Sequence, residues 1–65
     1  MTAGFHALPY KGFWGYRRTN GKRMSLTELS RETAWHEVRR RARALKTVAY
    51  LHDNRGRIVA RHDYR

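Results

Sequence analysis

Residues 30–46 read SRETAWHEVRRRARALK, and two overlaid periodicities in this segment decide the fold. Ser30 is a good N-cap, Glu32 falls in the first turn where a helix dipole favours an anion, and Arg43 and Lys46 fall near the end where it favours cations. The spacing predicts a helix from Arg31 to Lys46. Ala34, Val38, Ala42 and Leu45 recur at intervals of four, four and three, with Trp35 beside them. That stripe is apolar and suited to packing on a sheet, and its small alanines permit close approach. On the opposite side His36, Arg39, Arg40 and Arg43 follow the spacing i, i+3, i+4, i+7. Glu37 can pair with Arg41 one turn on, which leaves most of the basic stripe uncompensated.

Working outward, each flank of the helix reads as a hairpin. Before it, GFWGYRRT (12–19) is rich in strand-favouring aromatics, Asn20-Gly21 is a strong turn signal, and KRMSLT (22–27) is the return strand. A two-residue loop would set Trp14 and Tyr16 across from Thr27 and Ser25. A three-residue loop, Asn20-Gly21-Lys22, would set Tyr16 across from Leu26 and make one face apolar, and this is the preferred register. After the helix, KTVAYLH (46–52) and RIVARHDY (57–64) alternate around Asp53-Asn54-Arg55-Gly56, where Gly56 can take the positive φ of a turn. Pairing His52 with Arg57 places Ala49, Leu51, Ile58 and Ala60 toward the helix and Val48, Tyr50, Val59 and Arg61 on the outer face. Residues 1–11 are weakly patterned and contain Pro9, which disfavours a strand, so they read as an N-terminal arm. The expectation is a single α+β domain over residues 12–65, of order β-β-α-β-β, with a four-stranded antiparallel sheet and the helix across one face.

With 65 residues, 40% of them hydrophobic, the chain has room for one thin core; a domain this small buries only about 60% of its unfolded surface. There are no cysteines and only four histidines, so packing, hydrogen bonds or self-association must supply stability. The opening residues lack the basic and apolar regions of a signal peptide, and no run approaches the roughly 18 apolar residues of a membrane span. A soluble, cytoplasmic protein is expected. Fifteen Lys+Arg against five Asp+Glu give a formal charge of +10, and self-repulsion of that size is relieved by an acidic partner. Twelve of the fifteen cations are arginine, whose planar fork suits phosphate.

The strand, strand, helix, strand, strand order resembles a small bacterial and phage family known only as a domain of unknown function. Trp14, Ser30, Ala34, Ala42 and the closing Leu51-His52, Gly56-Arg57-Ile58 followed by an aromatic in a polar tail carry the likeness, over Phe13 to Tyr64. This chain departs from it in the density of its arginine stripe. The resemblance implies the four-stranded sheet with one helix, and no activity.

Two basic groups are candidates for gripping a nucleic-acid backbone: Arg39, Arg40 and Arg43 with Arg31, His36 and Lys46 on the helix, and Arg17, Arg18, Lys22 and Arg23 at the first hairpin tip. Phe13, Trp14 and Tyr16, interleaved with arginine, could stack bases, although a core this small needs most of its aromatics inside. Val48, Tyr50 and Val59 form a candidate patch for a partner, a second copy of the chain or bases. Catalysis has little support. His52-Asp53 and His62-Asp63 invite a metal reading, but neighbours on a strand face opposite ways. No serine or threonine has an evident base, and no Gly-rich phosphate loop occurs. The residues therefore point to a non-enzymatic protein without metal or cofactor that binds nucleic acid, DNA before RNA, mainly by its backbone, and that could form a homodimer. The alternative is a phage- or mobile-element-encoded inhibitor whose basic face docks on a host nucleic-acid-handling complex, such as a CRISPR effector or an RNA polymerase. Compact inhibitors of that kind supply only a fold-level analogy.

Overall fold

The computed structural model describes residues 4–65. Five strands and one helix follow in the order β1 (Phe5–Tyr10), β2 (Phe13–Arg18), β3 (Ser25–Leu29), α1 (Arg31–Ala44), β4 (Val48–His52) and β5 (Ile58–Asp63). They form one mixed sheet, β3-β2-β1-β4-β5, in which β1 is the centre. This corrects the expected four strands and the expected arm: residues 5–10 pair antiparallel with β2 and parallel with β4, while residues 1–3 of that arm lie outside the described residues.

Pro9 did not exclude a central strand because the β1–β4 ladder covers only Phe5 to Ala7. The missing N–H falls past its end, where it removes no bond of that ladder. Phe5 and Ala7 are buried while His6 and Leu8 are half-buried, the alternation of a strand with one covered face. Lys11-Gly12, with φ of 49° and 84°, closes the β1–β2 hairpin in the left-handed conformation that such two-residue turns require.

The helix begins where expected. Ser30 is extended and its side chain accepts from the Thr33 N–H. It ends at Ala44, two residues before the expected Lys46, because Lys46 turns left-handed at φ 53°. The Lys46 N–H then donates to the Arg43 carbonyl and the Thr47 N–H to that of Ala42, so orphan carbonyls of the last turn are satisfied. Leu45, expected in the apolar stripe, lies past this cap and is 46% exposed. Ala34, Val38 and Ala42 are fully buried against Phe5, Ala7, Tyr16, Ala49 and Leu51. The helix lies over β1, β4 and β2, and the alanines set how closely it approaches them.

Both hairpin registers differ from those preferred. In the first, Tyr16 pairs with Ser25 and Trp14 with Leu29, with a bulge between them. The connection is longer than three residues because Thr19 is drawn away, its N–H donating to the Gly4 carbonyl. Leu26, at φ 49°, is exposed rather than opposite Tyr16. In the second, His52 pairs with Ile58, and a bulge then shifts Leu51 to Ala60, Tyr50 to Arg61 and Ala49 to His62. Ala49, Leu51 and Ala60 keep their expected side, but Ile58 leaves it and is exposed.

Candidate nucleic-acid interface

Helical geometry carries His36, Arg39, Arg40 and Arg43 onto one surface, as the spacing predicts. The C-terminal segment adds a residue that sequence reasoning did not assign to it. Tyr64 is tied back by its N–H to the Thr47 carbonyl and stacks on His62 with ring centroids 4.4 Å apart. These five side chains His36, Arg39, Arg40, Arg43 and Tyr64 line a hollow of about 240 Å³. The signal for Tyr64 was an aromatic immediately after an alternating strand, but where a terminal segment folds back depends on the cap at Lys46, which periodicity does not show.

Charge compensation around the ridge is uneven. Glu37 is shared: Arg40 donates to it at 3.1 Å and Arg41, the expected partner, lies at 3.6 Å. The Arg40 hydrogen bond is the first cause of the Glu37 carboxyl lying below its ordinary pKa. The Arg41 guanidinium also lies 4.9 Å over the Tyr16 ring, so Arg41 belongs to the packed side. Asp53 binds Arg57, and Asp63 binds Arg61 and Arg65. Among the described residues, Arg39 and Arg43 are in no ion pair. Arg39 is nonetheless positioned, since its guanidinium lies 5.1 Å over the Trp35 ring and its Nε donates to the Trp35 carbonyl at 3.4 Å.

The remaining candidates are more dispersed. Arg31 lies 5.8 Å over the Trp14 ring, set against the first hairpin rather than along the ridge. Lys46 is exposed just past the helix. Arg17 and Arg18, neighbours on β2, face opposite sides: Arg18 lies over Phe5 of the covered face, and Arg17 is the cross-strand partner of His6. With Lys22 and Arg23 in the following loop, the hairpin-tip group does not form one surface.

The expected patch of Val48, Tyr50 and Val59 is not assembled. Val48 is only 4% exposed and Val59 is 51% exposed on an edge strand, while Tyr50 is covered by a stacked His6 ring, centroids 4.5 Å apart. A central β1 was needed to cover Tyr50, and the reading of residues 1–11 as an arm concealed it. Phe13, by contrast, is 55% exposed, whereas Tyr16 is buried and Trp14 packs against the core.

Both His-Asp pairs have their aspartates turned to arginine and backbone. Asp53 accepts from the N–H groups of Arg55 and Arg57 and so shapes the β4–β5 turn; Asp63 accepts from Arg61 and Arg65. His52 instead meets His6, Nε2 to Nδ1 at 2.8 Å. The chain matches no family model, no curated protein and no solved structure, so the residues themselves carry the functional reading.

Proposed function

We propose that this protein binds nucleic acid, chiefly the sugar-phosphate backbone of DNA, through the ridge of Arg39, Arg40 and Arg43 with His36 and Tyr64 alongside. The observation that carries this reading is that Arg39 and Arg43 stand on one helix face without a carboxylate partner among the described residues, lining a hollow with His36, Arg40 and Tyr64. Phosphate oxygens would supply what those guanidinium groups lack. The Arg40–Glu37 pair is solvent-exposed and worth at most about 1 kcal/mol, so a phosphate can displace Glu37 from it. Among the described residues no base-reading strand or loop accompanies the ridge, and a convex helix face with arginines one turn apart favours contacts that position over contacts that specify.

Binding of the pure protein to several unrelated DNA duplexes by fluorescence anisotropy tests the reading. Dissociation constants that agree across sequences and rise steeply with salt support it. Absence of binding at low salt, together with a stoichiometric complex with an acidic protein, would favour the alternative of a docking inhibitor instead.

A further inference from the structure

The face of the sheet opposite the helix carries its own pattern. Cross-strand partners His6↔Arg17, His6↔Tyr50 and Tyr50↔Arg61 form a continuous row over four strands: a cation, two stacked rings and a second cation. Four residues further along β1, about 13 Å at the usual rise of a strand, Tyr10 pairs with Phe13. Both of these rings are exposed, and Lys11 lies 5.3 Å over the Tyr10 ring. The helix does not lie on this face; between the two groups Met24 and the bulged β3 close over Gly15, Val48 on the Tyr50 side of β4 is buried, and Arg17 is in no ion pair among the described residues. Arg61 shares Asp63 with Arg65.

We propose that this helix-free sheet face is a second nucleic-acid surface that seats single-stranded DNA, with bases stacking on Tyr10 and Phe13 and near the His6–Tyr50 pair, and phosphates meeting Arg17 and Arg61. Two exposed rings paired across neighbouring strands and flanked by cations match what unpaired bases need, since each base offers a π-face and each linkage a negative charge. A duplex cannot use the rings, because its bases are already stacked. The proposal extends the nucleic-acid reading to different residues and a different ligand, so each can fail alone.

The test is binding of a short oligothymidylate by anisotropy across a salt series, with wild type and a Tyr10→Ala/Phe13→Ala variant. A parallel amide-shift titration of wild type keeps the answer independent of the variant's fold. The expected result is an affinity at least about tenfold lower in the variant, a salt slope unchanged because no phosphate contact is lost, and shifts centred on β1, β2 and β4. Unchanged affinity in a folded variant, or shifts confined to the helix, would overturn the proposal. So would a dimer dissolved by the same substitutions, since the face would then belong to a second copy. Salt-steep duplex binding without oligothymidylate binding would overturn this proposal and leave the ridge reading intact.

Discussion

His6 Nδ1 and His52 Nε2 lie 2.8 Å apart across the parallel β1–β4 pair, and the rest of the network fixes which nitrogen of each ring carries the proton. The Gly56 carbonyl, 2.8 Å from His52 Nδ1, can only accept, so His52 Nδ1 is the donor there. In the neutral ring Nε2 then accepts from His6 Nδ1–H, and His6 Nε2 accepts from the Thr19 hydroxyl at 3.1 Å. A directed chain, Thr19 to His6 to His52 to Gly56, ties together the two hairpin connections.

This chain makes stability depend on pH. Burial first, then the His52 charge and Arg17, lower the His6 pKa from 6.5 to about 4. A lowered histidine favours its neutral form in the folded state, so the unfolded chain binds the proton more readily between those values. The contribution is complete above about pH 6.5 and is lost as pH falls toward about 4. The depressed carboxyls Glu37, Asp53 and Asp63 act in the same direction but only as pH falls below their ordinary values near 4. Urea midpoints should therefore decline between about pH 6.5 and 5 in wild type and decline less in His6→Phe; equal declines would remove His6 as the cause.

Lys46→Gly should stabilise the fold by about 0.5–1 kcal/mol. Lys46 holds φ 53° at the helix cap, a conformation that costs an L-residue about 1–2 kcal/mol and costs glycine little, part of the gain being returned to the unfolded chain. Thermal denaturation should show a midpoint a few degrees higher. An unchanged or lower midpoint would mean that the Lys46 side chain contributes more than its backbone costs.

Val38→Ala should cost about 2 kcal/mol. Val38 is the largest fully buried side chain, set between the helix and the sheet, and losing two methyl groups combines transfer and cavity terms. Guanidinium or urea denaturation would report it as a lower midpoint with an unchanged slope. Ala42→Leu should be worse for the opposite reason, because the fully buried Ala42 has no room for a larger side chain and the helix would have to lift from the sheet.

What the sequence disclosed and withheld divides along physical lines. The helix, its N-cap and the composition of its two faces were legible, because a 3.6-residue period and a serine cap are local properties. The arginine ridge followed from the same period. The central strand was not legible: Phe5, His6, Ala7 and Leu8 alternate only weakly, and Pro9 signals an edge unless one knows where the neighbouring ladder stops. Both hairpin registers were set by bulges, which no alternation of residue types marks. Once β1 was read as an arm, the environment of Tyr50, the role of His6 and the burial of Val48 were all out of reach.

The most direct test of the central claim compares duplex-DNA salt slopes of wild type, Arg39→Gln/Arg43→Gln and a control, Lys11→Gln/Arg55→Gln, which removes the same charge from two exposed turns away from the helix. At about 0.9 per phosphate contact, losing both ridge contacts should flatten the slope by nearly 2, whereas the control should change it by much less than 1. Equal flattening in the two variants, or none in the ridge variant, would contradict the account and reduce its basis to net charge alone.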